Sequence, residues 1–205
     1  TFKQFLNYLF AQLPYKESWS QEMPFARMLV KVKKEIVTMG VPSIKPHLKG
    51  APYITPKELK HWLDSKKQFV LLDTRNDYEV KLGSFTGAQD LQIENFRDFP
   101  EKAKNAAFKD KTVVSFCTGG IRCEKAAPLL LELGVKEVYQ LDGGILNYFK
   151  ECGGSHWNGA CFVFDHRIAV DGNLQPSGAW LCDHCQFPSP KEAQACTHCA
   201  KARLS

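Results

Sequence analysis

Apolar residues follow three rhythms along this chain. Phe2, Phe5, Leu6, Leu9, Phe10 and Leu13 recur at helical spacing, and Pro14 ends the pattern. From Phe25 to Met39 the rhythm shortens to a partial alternation, Val30 and Val32 against Lys31 and Lys33, which predicts a strand with a lysine-bearing face. Further on, short wholly apolar runs alternate with helical stripes. Phe69–Leu72, Thr112–Phe116 and Val138–Leu141 read as buried parallel strands, and Asp73, Cys117 and Asp142 stand directly behind them. Thr55-Pro56-Lys57-Glu58 is a capping box that opens a helix with the stripe Leu59, Trp62 and Leu63. Glu124–Leu133 is a second helical stretch, closed by Gly134. Pro128 fits there within the first turn; further in, it kinks the helix.

Alternating strands and helices predict an α/β fold with a parallel sheet flanked by helices. In such sheets reactive groups gather beyond the carboxyl ends of the strands, where Asp73, Cys117 and Asp142 fall. The chain divides into a partial N-terminal α+β segment over 1–50, a central domain over 51–152 and a cysteine-rich tail over 153–205. Gly40 to Pro52, with three prolines and two glycines, reads as a linker. One helix and one or two strands cannot enclose a core, so the first segment must pack on the next domain or be the remnant of a larger one. In the tail, Cys161–Phe164 and Ile168–Val170 read as a hairpin around Asp165-His166-Arg167.

Composition narrows the function classes. An apolar fraction of 44% and a charged fraction of 24% over 205 residues describe a soluble globular protein. No window approaches the roughly 18 apolar residues of a membrane span, so no membrane partner is expected. The start lacks the architecture of a signal peptide, and it lacks methionine, as in a trimmed or partly observed chain. A net charge of +5 permits a nucleic-acid partner without requiring one. Eight cysteines at this length are too sparse for a secreted disulfide scaffold, which implies a reducing, cytoplasmic setting.

Cys117 opens the run Cys117-Thr118-Gly119-Gly120-Ile121-Arg122 between a buried strand and a helix. The thiolate is the nucleophilic form of cysteine. Adjacent glycines let backbone N–H groups converge on one point, the following helix adds the positive end of its dipole, and Arg122 adds a permanent charge. Each favours a sulfur anion or an anion beside it. Cys123 reads either as a resolving thiol or as a packed one. Arg75 beside Asp73 forms an ion pair that orients the loop or serves structure alone.

Cys182-x-x-Cys185 and Cys196-x-x-Cys199, separated by ten residues, match a closed tetrahedral thiolate site for structural zinc. His184 and His198 read as spectators. A tail of this size holds too little apolar surface to fold alone, so the metal would supply its folding energy. Cys152 and Cys161 read as core residues, and Asp165 with His166 as a turn. Lys31, Lys33 and Lys34 form either a phosphate-contacting stripe or a solvated face; Lys191, Lys201 and Arg203 are candidates for holding RNA.

Leu71-Leu72-Asp73-Thr74-Arg75 with Tyr78 and Glu79, then Gly83–Ala88, the Cys117 loop and Leu141-Asp142-Gly143-Gly144 resemble the rhodanese domain in that order. In rhodaneses a six-residue loop from cysteine to arginine cradles a persulfide; Cys117 to Arg122 has that length, whereas the related phosphatases use a loop one residue longer. The chain resembles more closely the rhodanese-domain tRNA uridine hydroxylases. Val30–Gly40, Asp73–Glu79, Cys117–Lys125, Gly143–Tyr148 and Cys161–Asp165 followed by cysteine pairs carry the likeness over roughly residues 25 to 200. The resemblance implies oxygen-dependent hydroxylation of the wobble uridine of tRNA at its 5-position, with molecular oxygen as co-substrate and Cys117 and Arg122 as catalytic residues. It also implies that residues 1–50 are the remnant of a ferredoxin-like domain. Two other functions remain open: a sulfurtransferase with a Cys117 persulfide, and a non-catalytic binding module.

Overall fold

The computed structural model describes residues 2–11, 15, 23, 27, 29–48 and 50–203. Contacts divide the chain into a unit over Thr1–Val30 and a unit over Lys31–Ser205. In the first, Phe2–Phe10 forms helix α1, as its spacing predicts, and none of its residues is buried. Tyr15 hydrogen-bonds Asn7 at 2.7 Å. Leu13, Pro14 and Phe25 lie outside the described residues.

The strand expected around Val30 and Val32 does not form: among the described residues 29–39 there is none. Val32 is fully exposed and Val30 82% exposed. Alternation alone does not make a strand, because an unpaired strand gains neither ladder hydrogen bonds nor a buried face. Gly40 to Pro52 differs from a free linker. Met39, Ile44 and Ala51 are buried in the core of the second unit, and Lys125 pins the preceding stretch by donating to Glu35 Oε2 at 2.5 Å and to the Val37 carbonyl at 2.8 Å.

The second unit is built on β1 (Tyr53–Ile54), α2 (Pro56–Asp64), β2 (Val70–Asp73), α3 (Asp77–Leu82), β3 (Gly83–Phe85), β4 (Gln89–Asp90), α4 (Phe99–Lys104), β5 (Thr112–Phe116), α5 (Cys123–Glu132), β6 (Glu137–Leu141) and α6 (Gly144–Cys152). Five strands form one sheet in the order β1-β6-β5-β2-β4, and every pairing within it is parallel. Successive side chains on a strand point to opposite faces. Leu72, Val113 and Val138 therefore meet α4, α5 and residues 39–51, while Leu71, Val114, Phe116 and Leu141 meet α2 and α6. Truncating a residue such as Leu130, fully buried on α5, costs about 2–5 kcal/mol.

Local signals set the ends of these elements. The Thr55 hydroxyl accepts from the Glu58 N–H at 3.2 Å, with Pro56 in the first helical turn. Gly134 closes α5 at φ +86°. Pro128 sits inside α5, beyond its first turn, and is buried there. Lacking an N–H, it forgoes one helical hydrogen bond.

The tail continues through β7 (Trp157–Gly159), β8 (Cys161–Phe162), β9 (Ala169–Val170), β10 (Trp180–Leu181) and β11 (Pro188–Ser189). β8 and β9 form the expected antiparallel hairpin, with Arg167 held on Asp165 at its turn. β7 pairs with β3, and Tyr78 of α3 packs edge-on against Phe162 and Phe187. No helix among the described residues is long and apolar enough to cross a membrane.

Candidate active site

Because β2, β5 and β6 run parallel, Asp73, Cys117 and Asp142 emerge at the same edge of the sheet. Cys117 is only 2% exposed. The Gly120 N–H donates to its Sγ at 3.2 Å. Gly120 takes φ +90°, which L side chains rarely adopt, and this turns its N–H inward.

The N-terminus of α6 grips the loop from the other side. Ile145 and Leu146 donate their N–H groups to the carbonyls of Cys117 and Thr118 at 3.0 and 3.1 Å. Gly144 makes that approach possible: at φ +65°, a Cβ there would lie 2.4 Å from the Cys117 carbonyl oxygen. The Gly143-Gly144 pair after β6 thus serves close packing against the cysteine loop.

The electrostatics favour a thiolate at Cys117. The Cys123 thiol, donating to the sulfur, is the largest influence; burial opposes it, and Arg122 with the N–H groups of Arg122 and Cys123 adds to it. Together they pull the Cys117 pKa down to about 6. Burial and the adjoining Cys117 push the Cys123 thiol well up, so it keeps its proton and acts as donor. Thr74 ties this pair to β2: its hydroxyl donates to the Phe116 carbonyl at 3.0 Å and lies 3.7 Å from Cys123 Sγ.

Arg122 does more than bring a charge to the sulfur. Its guanidinium forks onto Glu79, with Nη1 to Oε2 at 2.5 Å and Nη2 to Oε1 at 2.8 Å. Burial works against the Arg122 charge, but the Glu79 hydrogen bonds and charge, with Cys117, outweigh it and raise its pKa. Glu79 is fully buried and also accepts from the Asn76 N–H and the Thr118 hydroxyl. The Arg122–Glu79 pair is neutral overall, so N–H groups and the Cys123 thiol carry much of the sulfur's stabilisation. Glu79 is the residue that sequence reasoning left out of the site. Its signal lay in the first turn of α3, three residues after Asn76, but nothing in the sequence marks it as the partner of Arg122.

Asp73 and Arg75 form a completely buried pair, with Arg75 Nη2 2.6 Å from Asp73 Oδ2. Ser84 donates to the same carboxylate at 2.7 Å, and Arg75 donates to the carbonyls of Gly83 and Glu79. The pair reaches the loop indirectly, through the segment that carries Glu79. Thr118 and Gly120 are buried, Gly119 is half-buried, and Ile121 is 42% exposed at the mouth. Cys161, raised to about 12 by burial, and half-buried Cys152, also raised mainly by burial, stand apart as protonated thiols.

In the tail, the sulfurs of Cys182, Cys185, Cys196 and Cys199 all lie within 4.8 Å of one another. Cys182 to Cys199 is 3.6 Å and Cys185 to Cys196 is 3.5 Å. A tetrahedral thiolate site with metal–sulfur bonds of about 2.3 Å has an edge of about 3.8 Å, so the cluster can hold a metal ion. His184 and His198 are exposed, and His198 stacks on Phe187 at 4.7 Å. Arg203 lies over the Trp180 ring at 5.1 Å.

This geometry agrees with what known proteins resemble the chain. The Rhodanese-like domain family matches residues 55–151. The tRNA uridine(34) hydroxylase of Cupriavidus necator is 50% identical over 206 residues, covering 93% of this chain and 73% of that protein. The protein of the same name from Burkholderia lata is 49% identical over 209 residues, covering 94% and 74%. Among solved structures, the rhodanese-like domain from Anabaena sp. is 24% identical and covers 53% of this chain and 79% of that one, with a TM-score of 0.46. A relative this similar over nearly the whole chain fixes the family: the Cys117 loop lies within the rhodanese-like stretch, and the chain belongs to the tRNA uridine(34) hydroxylases.

Proposed function

We propose that this protein hydroxylates the wobble uridine of tRNA at its 5-position in an oxygen-dependent reaction in the cytoplasm, with Cys117 as nucleophile. The observation that carries the reading is the cradled Cys117 sulfur, with the Gly120 N–H at 3.2 Å, in a chain half identical to tRNA uridine(34) hydroxylases.

Uracil is an electrophile at C6. Addition of the Cys117 thiolate there places a carbanion, delocalised as an enolate, at C5, the carbon that must meet oxygen. Molecular oxygen adds there as a C5 hydroperoxide, two equivalents of a thiol reductant cleave its O–O bond and carry the second oxygen off as water, and loss of the C5 proton with expulsion of the sulfur then restores the aromatic ring and the thiolate. A sulfur with a lowered pKa suits both halves: it is ionised for attack and leaves readily. Arg122, fixed by Glu79, holds the loop's curvature, and Thr118–Ile121 form its rim. Asp73 and Arg75 support the segment bearing Glu79, and Cys123 keeps the sulfur anionic between turnovers. Cys182, Cys185, Cys196 and Cys199 hold a structural zinc that folds the tail. The domain division follows the same reading, with a rhodanese domain over 51–152 between the 1–50 segment and the 153–205 tail.

A second reading is a sulfurtransferase with a Cys117 persulfide. The match to a rhodanese-like family and the six-residue loop favour it. Nucleoside mass spectrometry of tRNA from a strain lacking the enzyme separates the two. Wild-type protein restores 5-hydroxyuridine and Cys117→Ser protein does not. Restoration by Cys117→Ser rejects the proposed role of the sulfur, and fast thiosulfate turnover without hydroxyuridine favours the persulfide.

A further inference from the structure

A groove of about 860 Å³ opens beside the cysteine loop, and Ile121 and Glu124 line the end nearest it. Its opposite wall is the stretch before β1, where Lys34, Lys45 and His47 are exposed. That wall is already built, because Lys125 clamps Glu35 and the Val37 carbonyl onto α5. Apolar Val37, Val41 and Ile44 also line the groove.

Two side chains give the groove a chemical preference. Tyr53 and Gln140 are direct partners across β1 and β6, so their side chains share one face of the sheet. Tyr53 is 55% exposed and offers its ring. Gln140 is only 2% exposed, and its Nε2 donates to the Ala51 carbonyl at 2.8 Å. Only the nitrogen end of the amide can donate, so that bond fixes the orientation and leaves Oε1 as the acceptor. This buried Oε1 has no hydrogen-bond partner. Buried polar atoms are almost always satisfied, and an exception calls for a missing donor.

We propose that the groove binds a nucleotide next to the target uridine. Its base stacks on Tyr53 and, as the Gln140 side chain shifts to uncover its buried oxygen, donates an N–H to Oε1, while its phosphate faces Lys34 and Lys45. The charge balance favours base recognition over phosphate attraction alone: three lysines line the groove against two glutamates, and Lys125 is already committed to Glu35. Stacking is tolerant of base identity, whereas a hydrogen bond to a buried acceptor is selective. The inference deepens the tRNA reading and rests on it.

The test is binding of a fluorescein-labelled anticodon stem–loop RNA with a wobble uridine to the full chain, followed by anisotropy over a salt series. Tyr53→Ala is expected to raise Kd about 5- to 150-fold, the range of one lost base stack. Lys34→Ala with Lys45→Ala is expected to lower the salt slope by about 1.4, two single-strand phosphate contacts. Gln140→Leu is expected to raise Kd about tenfold and to flatten preference for the neighbouring base. Tyr53 and the two lysines are exposed, so their variants stay informative if Gln140→Leu fails to fold. Lys102→Ala with Lys104→Ala, outside the groove, controls for charge and is expected to keep the wild-type Kd. Tyr53 and lysine variants that bind within twofold of wild type, with the same salt slope, overturn the groove. If they also keep making hydroxyuridine, only the groove falls. A wild-type chain that binds the RNA in this groove and leaves it unmodified overturns the hydroxylase reading instead.

Discussion

Sulfur stands in two opposite settings in the second unit. In the loop, one sulfur is surrounded by donors: the Gly120 N–H at 3.2 Å and the Cys123 thiol. In the tail, four sulfurs crowd within 4.8 Å of one another, a set of ligands whose mutual repulsion a cation would relieve. The loop rests on a packed sheet and is gripped by the N-terminus of α6. The tail contributes small apolar clusters, one of them built around Trp180, Cys182 and Cys196, and its strands are two residues long. A thiolate held by N–H groups stays available for chemistry; thiolates spent on a metal do not. The proposed function thus assigns fold stability and reactivity to different cysteines.

Metal removal tests that division with the largest effect. Binding of a structural zinc is worth about 10–16 kcal/mol in comparable small sites. Chelation, or Cys182→Ser, is expected to abolish hydrogen-exchange protection around β10 and β11 while leaving β2, β5 and β6 protected. Equal protection with and without metal would show that the tail folds on its own packing.

Cys117→Ser should produce the reverse pattern. The loop geometry stays, as does the melting temperature at pH 6, where the ionised sulfur contributes little to stability, and hydroxyuridine formation falls by at least about 10³-fold, as for other enzymes stripped of a nucleophile. Nucleoside mass spectrometry and a melting curve on the same sample read both halves. A Cys117→Ser chain that melts much lower would make this sulfur a structural one, like those of the tail.

Glu79→Gln comes next. Arg122 is nine-tenths buried at the side chain and Glu79 wholly so, and stripping one partner from a buried pair typically costs about 3–5 kcal/mol. Chemical denaturation is expected to show that loss, together with slower alkylation of Cys117 as the loop loosens. This pairing was not legible in the sequence, because an ion pair spanning 43 residues depends on how the fold brings α3 to the loop after β5. The pattern of short apolar runs did place β2, β5 and β6 to within a residue, since burial on both faces leaves an unmistakable composition. The Thr55 cap, Gly134 and the four tail cysteines were legible for the same reason, namely that local chemistry alone determines them. Val30 and Val32 misled because alternation carries no information about a partner strand. Ile44 and Ala51 escaped as core residues because prolines and glycines around them read as a linker, and Met39 because it closed the stretch read as a strand.

The pH dependence of Cys117 gives a subtler separation. Its pKa of about 6 lies below the roughly 8.5 of an unfolded thiol. Between these values the folded chain has lost a proton that the unfolded chain keeps, so stability rises with pH through the window and is lost as pH falls through 6. Iodoacetamide alkylation should follow an apparent pKa near 6 in the native chain, and Cys123→Ala should move it upward by removing the thiol donor. A profile like that of free glutathione would remove the contrast with the tail.

The smallest effect concerns the tail histidines. His198 lies nearly parallel to Phe187, at 4.7 Å and 11°, and the Phe187 ring meets Tyr78 of α3 at 6.4 Å. The histidine therefore acts as one leaf of an aromatic stack between the cysteine knuckle and the helix that carries Glu79. His198→Ala is expected to cost about 0.5–1.5 kcal/mol, the value of one such ring pair, with the metal still bound at one ion per chain. His184→Ala, at an exposed position, should cost less. Metal content measured beside the melting curve decides the matter. A His198→Ala chain that loses its metal would make the imidazole a ligand and one of the four sulfurs a spare thiol, leaving the tail with a cysteine as free to react as the one in the loop.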